Sequence, residues 1–294
     1  MTMTWAIGYR KRITDSIISD PDRPFNVLSL EKGTWGADPF LYDYNDTTYL
    51  FYELFLEDKN KGVIAYSKEE NGEFSKPQIA IEETFHLSFP CIFNIGNDIY
   101  MIPETGSQHN IILYKCEYFP NKWYQVRILQ YNIDSSDTIV WHADDGLYVL
   151  ASILQGSTRN IQNYLFKLDT ESLTLKLLSK QKACGERGYR NAGLLFTDGG
   201  KQFRPGQNCE DGQYGKSTII WKVEENSKNY SERFYKDITI DDIVLLHKQS
   251  FCGVHTYNIS KNYEVIDLKL LTSNRLCNRI FNILSVVKHK LLRS

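Results

Sequence analysis

ADPFLYDYNDTTYLFYE, the stretch from Ala37 to Glu53, decides the fold. An apolar run leads to a polar turn at Asn45 and Asp46, and an aromatic-rich run follows that ends on an acid. Two short runs rich in Phe, Tyr and Leu around an Asn/Asp turn read as a β-hairpin. The layout returns in SFPCIFNIGNDIYMIPE (Ser88 to Glu104), in SDTIVWHADDGLYVLAS (Ser136 to Ser152) and, more loosely, in NAGLLFTDGGKQFRPGQ (Asn191 to Gln207). The four align at one offset, Asp38 to Tyr49, Phe89 to Tyr100, Asp137 to Tyr148 and Ala192 to Phe203.

Between the hairpins lie further strand-like runs, Gly62 to Ser67, Ile111 to Cys116, Asn163 to Leu168 and Thr218 to Val223, each followed by a turn and a fourth short segment. Four antiparallel strands in a unit of about 50 residues is the pattern of a propeller blade. The sequence therefore predicts an all-β, five-bladed β-propeller over residues 1–267, with a β-sandwich as the alternative. Its fifth blade is assembled from Ile240 to Asp267 and the N-terminal strand Trp5 to Tyr9, which closes the ring. Residues 268–294 read as a basic amphipathic C-terminal helix. Lys269, Arg275, Arg279, Lys288, Lys290 and Arg293 have no acid among them, and Leu276, Ile280, Ile283, Leu284, Val287 and Leu291 fall at helical spacing. Such a helix can lie on an anionic membrane surface or pack on the propeller's flank.

Composition narrows the function. With 34 basic and 36 acidic residues and 42% hydrophobic residues, the chain is neither disordered nor a dedicated nucleic-acid binder. No run approaches the roughly 18 apolar residues of a membrane span, and Met1 to Arg12 precede no apolar leader segment. The expected location is cytoplasmic, peripheral at the inner membrane if the tail binds there. The cysteines, Cys91, Cys116, Cys184, Cys209, Cys252 and Cys277, form no C-x-x-C pair and read as buried thiols. Gly185, Gly188 and Gly193 lack the Lys-Ser/Thr of a phosphate loop. No cofactor is identified, and a divalent metal is left open.

A hairpin returns its chain to its starting point, so the two ends of each hairpin meet at one mouth of the central channel. Those ends hold Asp38 and Glu53, Phe89 and Glu104, Asp137 and Ser152, and Ala192 and Gln207. A register starting at Ile240 places His255 at the second-strand end of the fifth blade. Carboxylates are depleted in strands, so their recurrence in register points to a polar pocket. The same mouth is expected to collect His86, Ser88, Arg190, Arg204, Asp211 and Tyr214, flanked by Trp35 and Trp141. Carboxylates and Arg beside aromatic rings suit a carbohydrate, whose ring faces stack while its hydroxyls hydrogen-bond. The bland alternative makes Asp38 a turn residue before Pro39 and makes Glu53 and Glu104 exposed strand ends.

WGADPFLYDYNDTTYLFYE resembles the first blade of the propellers shared by arabinanase, xylosidase and fructosidase glycoside hydrolases. A closer resemblance spans nearly the whole chain. GADPF, HLSFP, MIPET, the SDT of Ser136 to Thr138, FRPGQNC and GVHTYN look like the propeller domain in front of plant glucosamine inositolphosphorylceramide transferase, and like propellers of bacterial polysaccharide-assembly proteins. The hydrolase resemblance implies Asp38 as base or nucleophile, Glu104 as acid and Asp137 as the group that tunes and positions. Glycoside chemistry needs such a pair of carboxyls at roughly 5 to 9.5 Å. Phe89 departs from that pattern, and Arg204 and His86 add cations that suit a phosphate-bearing donor.

Three functions follow as expectations. The first is a glycosyltransferase of surface-polysaccharide or glycolipid assembly. In it Asp38 or Glu104 acts as base on a glycan or lipid-linked acceptor, and Arg190 and Arg204 hold the phosphate of an activated sugar donor. The second is a glycoside hydrolase using Asp38 and Glu104, and the third is a non-catalytic glycan-binding propeller. Glu53, His86, Ser88, Gln207, Asp211 and His255 complete the expected substrate site.

Overall fold

The structure, a computed structural model, describes residues 4–12, 22–155, 161–181, 187–246 and 251–270. These form five antiparallel sheets arranged as the blades of a β-propeller. Blade 1 runs outward from Thr34–Tyr44 through Thr47–Leu56 and Lys61–Glu70, and blade 2 from Ser88–Ile95 through Asp98–Glu104 and Asn110–Tyr118 to Lys122–Tyr131. Blade 3 comprises Ser135–Ala143, Gly146–Leu154, Ile161–Asp169 and Thr174–Lys180. In blade 4 the inner position is shared by Arg187–Asn191 and Phe196–Asp198, both paired with Lys201–Asn208, and Ser217–Glu225 and Ser231–Ile238 lie outside them. Blade 5 joins the two ends of the chain: Phe251–Ile259 is innermost, Tyr263–Leu270 pairs with it, and Trp5–Lys11 then adds antiparallel to Tyr263–Leu270.

The ring closes with a buried polar clasp. Arg10 Nε meets Glu264 Oε1 at 2.6 Å, with Arg10 stacked over the Phe25 ring, while Tyr257 donates to the other Glu264 oxygen at 2.9 Å. Apolar packing fills the spaces between blades, the arrangement that twisted sheets set face to face require. Phe51, Ile64, Ile92 and Met101 join blades 1 and 2, Phe89, Cys91, Ile139 and Leu150 join blades 2 and 3, and Phe203, Ile220, Val254 and Ile266 join blades 4 and 5. Cys91, Cys116, Cys209 and Cys252 are free thiols, and of these Cys91 is buried.

One local device shapes the channel. The inner strand breaks register with its partner between Ala37 and Phe40, Ser88 and Cys91, Ser136 and Ile139, and Val254 and Tyr257. At three of these bulges the extra residue takes left-handed φ: 50° at Asp38, 46° at Phe89 and 46° at Asp137. A non-glycine residue there costs on the order of 1–2 kcal/mol, and a bulge re-aims one side chain away from the sheet's alternation. Pro39 and Pro90 follow two of the bulges, where the interrupted ladder needs no N–H.

Two expectations change at the C-terminal end. Ile240 begins a short 3-10 turn (Ile240–Asp242) rather than a strand, so the fifth inner strand starts at Phe251 and the register drawn from Ile240 is wrong. The strand Tyr263–Leu270 carries the propeller past 267, so Leu268 to Leu270 are sheet. The rest of the expected basic helix, 271–294, lies outside the described residues.

Candidate functional site

The bulges of blades 1, 3 and 5 point Asp38, Asp137 and His255 to the channel axis, each nearly fully buried. Two clusters form around them. In the first, His255 lies between two carboxylates, its Nδ1 2.6 Å from Asp267 Oδ2 and its Nε2 3.3 Å from Asp38 Oδ1. The Thr256 hydroxyl sits between the same acids, 3.1 Å from Asp38 Oδ1 and 2.8 Å from Asp267 Oδ2. Asp267 Oδ1 accepts the backbone N–H groups of His255 and Thr256 at 3.0 and 2.8 Å, and its Oδ2 accepts that of Asp38 at 3.1 Å. Trp5 covers His255, with ring centroids 4.2 Å apart.

In the second cluster Arg190 bridges two acids, donating through Nε to Asp137 Oδ2 and through Nη2 to Glu104 Oε2 at 3.5 Å. Glu104 Oε2 also accepts the Asp137 N–H at 3.1 Å, and Gln207 Nε2 donates to Asp137 Oδ2 at 3.2 Å. Asn191 Nδ2 fixes the bulge by donating to the carbonyls of Asp137 and Leu150 at 2.7 and 3.0 Å. Tyr214 links the clusters, its ring 5.5 Å from the Arg190 guanidinium and 5.2 Å from His255.

Charge crowding sets the protonation. Burial pushes Asp38 up to about 7 against the pull of His255, with Asp267 and Asp137 adding to the rise. Burial likewise pushes Asp137 up to about 7, with Arg190 opposing and Glu104 reinforcing. Burial would raise Asp267, yet His255 and its backbone donors hold it below the usual carboxylate range. Burial would depress His255, yet Asp267 and Asp38 hold it above the usual imidazole range and so favour its cationic form. Glu53 is pushed well above its ordinary value, first by burial and then by Asp38, Glu104, Asp267 and Asp137. Its Oε1 has no hydrogen-bond partner and lies 3.4 Å from His86 Nε2, while His86 Nδ1 accepts the Gly62 N–H at 3.0 Å. Burial lowers His86, so it adds no charge at neutral pH.

Asp38, His255 and Asp267 offer oxygen and nitrogen atoms within 4.8 Å of one another, close enough to share a divalent ion. The donor set does not fit one. Both Asp267 oxygens are committed to hydrogen bonds, and both imidazole nitrogens face carboxylates. The imidazolium occupies the cation's place.

The structure thus brings together Asp38, Glu53, His86, Ser88, Glu104, Asp137, Arg190, Gln207, Tyr214 and His255. Ser88 is the strand partner of Glu104. His255 arrives from the inner strand, at the place equivalent to Asp38, and not from a second-strand end. Phe89, the counterpart bulge residue, packs edge-on against Phe40 at 4.7 Å and gives the channel wall no polar group.

Three expectations fail. Arg204 is fully buried inside blade 4 and spends its guanidinium on Glu232, Asn191 and the Gly188 carbonyl, because its position on the second strand turns it away from the channel. Asp211 is exposed in the turn Glu210–Gly212 and pairs with Lys216 at 2.8 Å. Trp141 is buried against Tyr148 and Tyr230, six residues along the inner strand from the mouth, whereas Trp35 stacks on Phe55 at the mouth itself. Asp267, Thr256 and Asn191 were not anticipated. The run Val-His-Thr-Tyr aligns with Ala-Asp-Pro-Phe and Ser-Asp-Thr-Ile, a signal that would have placed Thr256 in the bulge and Asp267 opposite it.

The fold and the site define a five-bladed β-propeller with a buried cluster of acids, His255 and Arg190 at its centre. Solved structures of similar fold include the endo-arabinase of Bacteroides thetaiotaomicron (12% identity, TM-score 0.54, 84% of this chain and 98% of that one). Another is the Coprinopsis cinerea GH62 α-L-arabinofuranosidase catalytic domain (10% identity, TM-score 0.57, 90% and 97%). The chain itself belongs to the family described as glucosamine inositolphosphorylceramide transferase 1, N-terminal, whose sequence model matches residues 29–279. Relatives include glucosamine inositolphosphorylceramide transferase 1 of Oryza sativa subsp. japonica, 30% identical over 258 residues, covering 81% of this chain and 32% of the relative. The Arabidopsis thaliana protein of the same name is 34% identical over 200 residues, covering 65% and 26%. The chain therefore spans about a third or less of the length of these relatives.

Proposed function

We propose that the channel mouth is a carbohydrate site that performs acid–base chemistry at a glycosidic bond, in the assembly or remodelling of a surface polysaccharide or glycolipid. The observation that carries this is the pair Asp38 and Asp137, held on equivalent bulges of blades 1 and 3, each poised to gain or lose a proton near neutrality. A base or acid works best when its ionisation lies near the working pH. Asp38 takes the proton of the attacking hydroxyl or water. Glu104, held by Arg190, orients and stabilises the sugar together with Asp137. Trp35 and Phe55 offer a stacking face at the rim.

A second reading, transfer from a phosphate-activated sugar to a lipid-linked acceptor, is favoured by the name of the relatives. On that reading the protein works in the cytoplasm, against the inner membrane through its basic tail. The site's charge favours the first reading. Arg204 is sequestered, Arg190 is already shared by two carboxylates, and five acids face the channel.

A thermal-shift screen of neutral oligosaccharides against nucleotide sugars separates the two, because a saturating ligand stabilises the native state by mass action. Neutral glycans raising the melting temperature, with turnover abolished by Asp38→Asn, is the expected result. A response to nucleotide sugars alone would move the assignment to the transferase, and glycan binding without turnover would make the propeller a binding module.

A further inference from the structure

We propose that His255 and Thr256, anchored by Asp267, are positioning residues that control when Asp38 carries a proton, forming a relay Asp267–His255/Thr256–Asp38 on the floor of the channel. The inference rests on the reading of Asp38 as the site's base and adds the residues that govern it.

Geometry carries the argument. Asp38 is touched by His255 Nε2 at 3.3 Å and by Thr256 Oγ1 at 3.1 Å, and both of these groups contact Asp267 Oδ2, at 2.6 and 2.8 Å. A hydroxyl owns one hydrogen, so Thr256 cannot donate to both acids at once. When Asp38 is ionised, one of its neighbours must donate to it. When Asp38 is protonated, its O–H donates to Thr256 Oγ1 and the Thr256 hydrogen turns to Asp267. Either state leaves the Thr256 hydroxyl and the Asp38 carboxyl hydrogen-bonded. The bulge backbone serves the same anchor, since the N–H groups of Asp38, His255 and Thr256 all end on Asp267. Asp267 is thereby fixed as the permanent anion, and the proton changes hands at the channel-facing end.

The balance of charges is local. Facing the relay are Asp137 and Arg190 from blades 3 and 4, Tyr214 before the strand Ser217–Glu225, and Glu53 from blade 1. Among the described residues His255 and Arg190 both pull Asp38 down, His255 the more strongly and from 3.3 Å, so His255 does most to keep Asp38 available as a base near pH 7 despite its burial. In the forward step the O–H bond of the attacking hydroxyl breaks and its proton goes to Asp38. Its electron pair forms the new bond to the sugar carbon while the glycosidic C–O bond breaks, the leaving oxygen taking that bond's pair and a proton from solvent. Thr256 then reverses its hydrogen bond without moving a heavy atom.

Infrared difference spectroscopy of the full chain, wild type against Asp38→Asn, reads the protonated Asp38 carboxyl band as a function of pH and needs no substrate. His255→Gln is expected to move the midpoint of that band upward by about one to three pH units, the effect of removing an adjacent opposite charge. Thr256→Val is expected to move it upward by less, and Thr256→Ser to restore it. An unchanged midpoint in folded His255→Gln overturns the proposal. If that variant does not fold, equal midpoints in Thr256→Val and Thr256→Ser overturn it instead. A propeller that binds no glycan would leave these midpoints where they are, so failure of the carbohydrate reading and failure of the relay are separately visible.

Discussion

Arg204 grips both oxygens of the Glu232 carboxylate, Nη2 to Oε1 at 2.6 Å and Nε to Oε2 at 2.7 Å, on the side of blade 4 that faces away from the channel. The guanidinium is wholly excluded from water, and its remaining donors go to Asn191 Oδ1 and to the carbonyls of Pro205 and Gly188. A cation spent this completely holds strands together and has nothing left for a ligand.

Arg204→Ala should therefore destabilise the fold by about 3–5 kcal/mol, the usual consequence of leaving one partner of a buried pair alone. Arg204→Lys should recover only part of that, because an ammonium cannot reproduce the two-point contact. Denaturant unfolding measures the loss. Calorimetry on the folded fraction should find glycan affinity unchanged, and a selective loss of affinity would return Arg204 to the site.

The channel acids give stability a defined pH dependence. Asp38 and Asp137 carry folded-state values raised from 3.8 to about 7, so they bind more protons folded than unfolded between those limits. Their contribution is complete below about pH 4 and is lost as pH rises through about 7. His255, raised above 6.5, loses its contribution as pH climbs through its folded value, while Asp267, lowered from 3.8, loses its own only in acid. The melting temperature should accordingly fall from weakly acid to weakly alkaline pH. Asp38→Asn should flatten that fall and be more stable than wild type near pH 8, a gain set against lost turnover. A melting temperature of this variant that tracks wild type across the range would show that Asp38 is not the strained acid.

Much of the site was legible because bulges and hairpin ends repeat. The blade period placed Asp38, Glu53, Glu104 and Asp137 at one mouth from spacing alone, and the N-terminal strand Trp5–Lys11 closes the ring as the missing partner of the fifth blade suggested. The failures have a common physical cause. Spacing says which strand end a residue occupies, but a bulge inverts which face it presents, and hydrogen-bond competition decides whether a charge stays free. Arg204 lies three residues before Gln207 on the same strand, yet strand alternation sends Gln207 to Asp137 and Arg204 to Glu232. Asp267 went unseen because an acid in the middle of an apolar strand, YEVIDLKL, shows its purpose only once the three backbone N–H groups it satisfies are in place.

Blade 4 also contains a contact that tolerates no side chain. A Cβ on Gly206 would stand 1.9 Å from the Gly188 carbonyl oxygen, and that oxygen accepts from Arg204 Nη2 at 3.0 Å and Trp221 Nε1 at 2.8 Å. Gly206→Ala must push the inner strand Arg187–Asn191 outward and break those bonds. The expected cost is about 1–3 kcal/mol for the overpacking, with about 1 kcal/mol more for each hydrogen bond lost. Because Arg190 rides on the displaced strand, the variant should also bind glycans more weakly than its stability loss accounts for. Unfolding curves and calorimetry on the same preparation test both parts, and an unaltered affinity would place Arg190 outside the ligand's reach.

Arg190 is a cation shared by Asp137 and Glu104, and it joins acids from blades 2 and 3 to the inner strand of blade 4. Arg190→Met keeps the length of the stem and removes the charge. Asp137, already at about 7 with Arg190 opposing the rise, should climb by about one to three units more, because the strongest of the influences that lower it is removed while burial and Glu104 still raise it and the weaker pull of His255 remains. The sign is fixed by the direction of each influence: the guanidinium lowers Asp137, so its loss can only raise it. Infrared difference spectra of Arg190→Met against the same variant carrying Asp137→Asn read that midpoint directly. Any turnover that needs ionised Asp137 should shift its acid limb to higher pH by the same amount, whereas a turnover that needs it protonated should shift its alkaline limb instead. The limb that moves identifies the protonation state in which Asp137 works. A midpoint that does not move would mean that the Arg190–Asp137 contact does not set the charge of this site.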